Sequence, residues 1–195
     1  MPLDYPLCIV RHGETDWNLE GRLQGQQDVR MNGRGRDQAE AVGRLLLQHA
    51  PEVLGWDFVA SPLIRTRDTM ELMRAAMGVD PKDYRLDPRL KELTFGSWEC
   101  STWDDVKRSF PDLAAKRKAD KWAFCPPGGE SYSMLSDRIA DWLVDVKKPT
   151  LAVTHGGVAR VLLGLLTGMA QVDLPVEDIK QGRALMFEDG KARWI

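Results

Sequence analysis

Apolar residues along this chain fall into two patterns. Short continuous runs rich in β-branched and aromatic residues occupy 7–10, 56–60 and 150–154, and a further pair occupies 184–187 and 192–195. Runs of that kind predict strands, and continuous rather than alternating hydrophobicity predicts burial on both faces. The last two flank "EDGK", where Asp189-Gly190 suits a two-residue turn, so a terminal β-hairpin is expected. Between the runs, apolar residues recur at helical spacing. Asn32 can cap a helix over 33–49 with a stripe of Ala39, Val42, Leu45 and Leu46. A second helix starts near Pro62 and carries Ile64, Met70, Leu72 and Met73; others are predicted over 131–146 and 157–166.

Alternating buried strands and helices imply an α/β fold: a three-layer α/β/α sandwich around a mostly parallel central sheet. Residues 87–130 break the rhythm. Rich in Trp, Lys, Asp and Pro, they are expected to form a small, cap-like helical insertion within a single domain spanning 1–195. "KRKADK" inside it is read as a solvated helix face.

Composition narrows the possibilities. The 195 residues are 43% hydrophobic, enough for a substantial core, and the net charge is only −2. That balance gives no global electrostatic case for nucleic acid or an anionic membrane. Cys8, Cys100 and Cys125 are odd in number and scattered, which argues against a disulfide scaffold or a cysteine metal site, and Cys8 is read as a buried apolar residue. No signal-peptide pattern and no run of membrane-spanning length is visible, so a cytoplasmic protein is expected.

The candidate chemistry lies at strand ends. Two of the three histidines, His12 in "CIVRHGETDWN" and His155 in "LAVTHGGVAR", close predicted strands and precede glycine. Arg11 accompanies the first, and Arg65 in "SPLIRTRDT" follows the second strand. In open α/β sheets ligands collect beyond the carboxyl ends of the strands. Two guanidiniums and two imidazoles at one sheet edge, near helix N-termini, suit a compact anion such as a phosphoryl group. Glu92, in "RLKELTFGSWE", supplies a carboxyl group. Beside a phosphate pocket and an aromatic wall, with Trp98 nearby, a carboxyl is raised towards protonation and suited to protonating a leaving oxygen. Trp98, Trp103 and Trp122 face either that pocket or the core. The third histidine, His49, is read as a partner of its helix's C-terminal dipole.

In order along the chain, "RHGETDWNLEGRLQGQQD", "SPLIRTRDT", "LKELTFGSWE", "PPGGES" and "VTHGGVAR" resemble the signatures of the histidine phosphatase superfamily, which includes cofactor-dependent phosphoglycerate mutases. The resemblance implies a phosphoglycerate mutase-like fold and metal-independent phosphoryl transfer, with no cofactor and a small phosphorylated substrate. It implies that His12 is phosphorylated, that Arg11, Arg65 and His155 bind the phosphoryl oxygens, and that Glu92 is general acid and then base. Asn18, Gln24 and Gly156 are carried over as substrate-binding positions. Asp28, by contrast, is read as a positioning residue, Glu99 as a support of the local fold and Arg67 as a surface residue. Two departures, Cys100 after "WE" and "VRMN" at 29–32 after "RLQGQQD", lie away from the phosphoryl pocket.

Larger mutases of the family carry a longer insertion and a C-terminal tail that closes the site. The short insertion here, with "RLQGQQD" and "FGSWE", looks more like the phosphatase branch, with a mutase as the alternative. A non-catalytic phospho-ligand module is the third reading; it would be expected to lack His12 or Glu92, and both are present.

Overall fold

In the computed structural model, which describes residues 3–195, the first apolar run forms β1 (Leu7–Arg11), and its side chains alternate between two cores. Leu7 and Ile9 enter one cluster while Cys8 and Val10 enter the other, as the period-two pleat requires. The same alternation divides β4 (Thr150–Thr154), where Ala152 joins the first cluster and Leu151 and Val153 join the second. A strand with both faces buried reads as one continuous apolar run for this reason.

With β2 (Asp57–Ala60), β3 (Arg85–Leu86), β5 (Ala184–Glu188) and β6 (Lys191–Trp194), these strands form one sheet in the order β3-β2-β4-β1-β5-β6. The β3–β2, β2–β4 and β4–β1 pairs are parallel; β1–β5 and β5–β6 are antiparallel. The expected terminal hairpin is therefore present, laid antiparallel against β1, and Asp189 and Gly190 both have the positive φ that its turn needs. β3 was not predicted from sequence: two exposed residues at an edge carry no periodicity to read.

α2 (Gly33–His49) and α3 (Ile64–Ala76) cover one face, with Val42, Leu46, Met70 and Met73 in the second cluster. α6 (Tyr132–Val144) and α7 (Gly156–Thr167) cover the other, with Leu135, Ile139, Val158 and Leu162 in the first. Each such side chain contributes roughly 2 kcal/mol when fully buried. Asn32 caps α2 by accepting from the Gly35 N–H at 2.9 Å. Among the described residues no helix is long and apolar enough to cross a membrane.

The inserted segment contains α4 (Trp103–Ser109) and α5 (Pro111–Ala119) and has a small core of its own. Leu23, Trp98 and Val106 are buried there against Phe95, Trp103, Leu113 and Phe124. Trp98 stacks on Phe124 with ring centroids 5.5 Å apart and is fully buried. It therefore fills the insertion rather than forming a wall beside Glu92. Trp122 lies elsewhere, stacked on Tyr132 at 6.0 Å.

Candidate active site

Register decides which residues meet. The pairing of β1 with β4 places Arg11 opposite Thr154, and the His12 N–H continues the ladder to the Thr154 carbonyl at 2.9 Å. His12 and His155 therefore leave adjacent parallel strands at the same height, and their ring centroids lie 5.3 Å apart. Both imidazoles are buried.

His12 Nδ1 lies 2.8 Å from the carbonyl oxygen of Gly13. A carbonyl can only accept, so Nδ1 carries the proton and Nε2 keeps its lone pair. Burial, then the charges of Arg65 and Arg11, holds the His12 pKa well below the ordinary 6.5, against the opposing Gly13 hydrogen bond. His155 is lowered in the same direction by burial, Arg65, His12 and Arg11. Its Nε2 lies 2.8 Å from Ser61 Oγ, and its Nδ1 has no hydrogen-bond partner.

Arg65, from the first turn of α3, is 1% exposed. Its Nη1 and Nη2 donate to the Gln27 and Gly25 carbonyls at 2.7 and 2.8 Å, while its buried Nε is unpartnered. Burial pulls this guanidinium down to about 10, with Glu92 and Asp28 opposing. Arg11 Nη1 donates to the Ile179 carbonyl at 2.8 Å, and its buried Nε is likewise unpartnered. Burial lowers Arg11 too, with Glu92 the largest opposing charge. Three buried nitrogens without partners therefore belong to His155 and to two guanidiniums whose charges act on both imidazoles, the demand that an oxyanion meets.

The Glu92 carboxylate sits at the start of α7, where both its oxygens accept from the Gly157 N–H at 3.1 Å; Oε1 also accepts from the Leu93 N–H at 3.0 Å. His155 precedes this helix as a cap residue without a side-chain capping bond, so a distant carboxylate does that work. Asp28 does the same for α3, accepting from the Ile64 N–H at 2.6 Å, in keeping with the positioning role expected of it. Glu99 holds loops together, accepting from the Gln26 and Phe95 N–H groups and from Thr94 Oγ1.

Asn18 stands in α1 (Asp16–Leu19), a single turn with a Thr15–Asn18 capping box. Its Oδ1 accepts from the Thr15 and Gln181 side of the site, which leaves its amide N–H groups for donation outward. Gln24 is buried, and its Oε1 has no partner. Gly156 opens α7, one residue earlier than predicted.

Three neighbours were not singled out from sequence. Ser61 contacts His155; Gln181 Nε2 donates to the His12 carbonyl at 3.0 Å and to Asn18 Oδ1 at 3.2 Å; Arg160 lies against Gly156 and Arg11. Ser61 was visible as the first residue of "SPLIRTRDT", whereas Gln181 stands in loop sequence that carries no motif. Arg160 was visible as the last residue of "VTHGGVAR".

The chain is similar to known phosphatases and phosphoglycerate mutases. Over 183 residues the chain is 31% identical to a glucosyl-3-phosphoglycerate phosphatase of Mycolicibacterium vanbaalenii, covering 87% of this chain and 77% of that one. A 2,3-bisphosphoglycerate-dependent phosphoglycerate mutase of Beijerinckia indica subsp. indica is 26% identical over 194 residues, covering 95% and 92%. The crystal structure of the alpha-ribazole phosphatase of Shigella flexneri matches with a TM-score of 0.81 over 96% of this chain and 93% of that one; at 24% identity this shows a shared fold. A family model for the histidine phosphatase superfamily (branch 1) matches residues 7–188, and the chain belongs to that superfamily.

Proposed function

We propose that this protein is a phosphomonoesterase that works through a phosphohistidine on His12. One observation carries the proposal: a buried, neutral His12 with a free Nε2 lone pair lies beside His155 and within the influence of two arginines whose Nε atoms lack partners. Nε2 attacks phosphorus, the bond to the leaving oxygen breaks, and Glu92 gives that oxygen its proton. The Glu92 carboxylate then takes a proton from water as its oxygen attacks phosphorus. The P–N bond breaks, its electron pair returns to Nε2, and inorganic phosphate leaves. Arg11, Arg65 and His155 hold the phosphoryl oxygens, with Asn18, Gln24 and the Gly156 N–H beside them. Phosphoryl transfer is mainly positioning and charge stabilisation, and fixed guanidiniums supply both.

The substrate is a small phosphorylated molecule, and the whole of 1–195 serves as one catalytic domain with 87–130 over the leaving group. A cytoplasmic setting accords with three free cysteines. The full-length similarity to a mutase keeps a second reading in play, in which another substrate hydroxyl replaces water in the second transfer.

The test is acid-labile labelling. Enzyme quenched during turnover of a phosphate-labelled ester is expected to carry label on His12, and His12→Gln to carry none and to lose at least a thousandfold in kcat. Label on another residue, or full turnover without label, overturns the proposal. Incubation with 3-phosphoglycerate, with and without 2,3-bisphosphoglycerate, separates the two readings: phosphate release marks the phosphatase, and isomerisation without release marks the mutase.

A further inference from the structure

Ser61 follows directly on β2, at the carboxyl end of the sheet where both histidines leave their strands. Its N–H donates to the Val153 carbonyl at 3.0 Å, continuing the parallel β2–β4 ladder, and Val153 stands just ahead of Thr154 and His155. Register therefore sets the serine side chain beside that imidazole, with Oγ 2.8 Å from His155 Nε2. Both residues are fully buried, so solvent answers neither polar group. The Ser61 carbonyl is occupied as well, accepting from Thr66 Oγ1 in the first turn of α3 at 2.9 Å.

Which of the two donates follows from the protons available. A serine hydroxyl has one proton to give and lone pairs to receive. The Leu63 N–H already approaches Ser61 Oγ at 3.4 Å, and an amide N–H only donates. Among the described residues, His155 Nε2 is the one acceptor bonded to that hydroxyl. Were Nε2 protonated, the hydroxyl would be buried with no acceptor, and Nδ1 would carry a lone pair where an oxyanion needs a hydrogen. With Nε2 accepting, the ring proton sits on Nδ1, the buried nitrogen that no protein group answers. Burial, then Arg65, His12 and Arg11, keeps the ring from taking a second proton. Tautomer rather than charge thus decides whether this side of the site offers a donor.

We propose that Ser61 is a positioning residue whose hydroxyl donates to His155 Nε2 and holds the resting imidazole as the Nδ1–H tautomer, so that a neutral N–H meets the phosphoryl oxygen. The use of that N–H rests on the phosphomonoesterase reading; the tautomer itself does not. Both imidazoles of the site then carry their proton on Nδ1 and use it in opposite ways. His12 donates from Nδ1 to the Gly13 carbonyl at 2.8 Å and keeps the Nε2 lone pair for phosphorus. His155 spends its lone pair on Ser61 and keeps its proton for oxygen. A carbonyl selects a donor, and a hydroxyl that already receives an N–H selects an acceptor, so two different anchors fix one tautomer in two rings.

The experiment is long-range proton–nitrogen correlation NMR of the imidazole rings in protein carrying nitrogen-labelled histidine. The chain has three histidines, so spectra of His12→Gln and His49→Gln identify the His155 signals by elimination. In the resting wild type, His155 Nδ1 is expected to give a protonated, pyrrole-like signal and Nε2 an unprotonated, pyridine-like one. The reverse pattern, or a doubly protonated ring at neutral pH, overturns the proposal without recourse to any variant. In Ser61→Ala the His155 signals are expected to average between tautomers and kcat/KM to fall by about tenfold or more, whereas Ser61→Thr, which keeps the hydroxyl, holds the wild-type pattern. A Ser61→Ala spectrum that stays wholly Nδ1–H overturns the role of Ser61, and a changed spectrum with unchanged kcat/KM overturns the use of that N–H. Acid-labile label on His12 together with a protonated Nε2 on His155 defeats this inference alone. Absence of that label with the Nδ1–H pattern intact defeats the phosphomonoesterase reading and leaves the tautomer standing.

Discussion

At the scale of single residues, the site depends on keeping two imidazoles neutral inside the protein. Burial and the arginines lower both His12 and His155 well below 6.5, so His12, the proposed nucleophile, stays neutral in mildly acidic solution. The acid limb of the kcat/KM profile is therefore expected to fall below the pH at which an ordinary histidine titrates, and a limb centred near 6.5 or above contradicts that. The same shift acts on stability with a definite sign. Below about 6.5 the unfolded chain binds protons at these two histidines that the folded chain refuses, so stability rises with pH across that range and is lost as pH falls. Denaturant midpoints measured from pH 7.5 down to 5.5 are expected to decline, with a shallower decline in His12→Gln. Cys8 is the contrasting case: burial pushes its thiol up to about 12, as befits an inert core residue.

Among elements, the loop after β1 meets the first turn of α2 at backbone distance. A Cβ on Gly13 would lie 2.1 Å from the Gly35 carbonyl oxygen and 2.6 Å from Met31 Sδ, and one on Gly35 would lie 2.1 Å from the Glu14 carbonyl oxygen. The Gly13 N–H meanwhile donates to Thr69 Oγ1 at 3.0 Å, which ties the loop to α3. The glycine after each strand-end histidine was legible as a motif, but its reason was not, because the contact joins residues remote in sequence. Gly13→Ala is expected to cost about 2 kcal/mol or more, since the opposing atoms are mostly backbone and cannot rotate away. It also shifts the carbonyl that orients His12, so kcat should fall by at least tenfold; a variant with wild-type melting temperature and kcat contradicts this account.

Over the whole molecule, the insertion and the pocket are joined through one loop. The Leu23 N–H donates to the Ser101 carbonyl, and the Cys100 N–H to the Leu23 carbonyl, both at 2.9 Å. Gly25 and Gln27, a few residues on, present the carbonyls that grip Arg65. Sheet and insertion are therefore expected to unfold together in one transition, and Trp98→Ala to lower the whole transition by about 3 to 5 kcal/mol. An early, separate transition in calorimetry contradicts that coupling. Sequence alone determined the buried strands, the main helices and the terminal hairpin, and it singled out His12, His155, Arg11, Arg65 and Glu92 as candidates for one site. Strand burial, helical periodicity and compact motifs are properties of neighbouring residues, and such properties survive in a linear reading. Only the tertiary structure placed Trp98 inside the insertion, Glu92 at the head of α7, Gln181 behind His12 and Arg160 beside Arg11. Each of those depends on which distant segments pack together, and packing is decided by the sheet's register and the loops' path rather than by any local pattern.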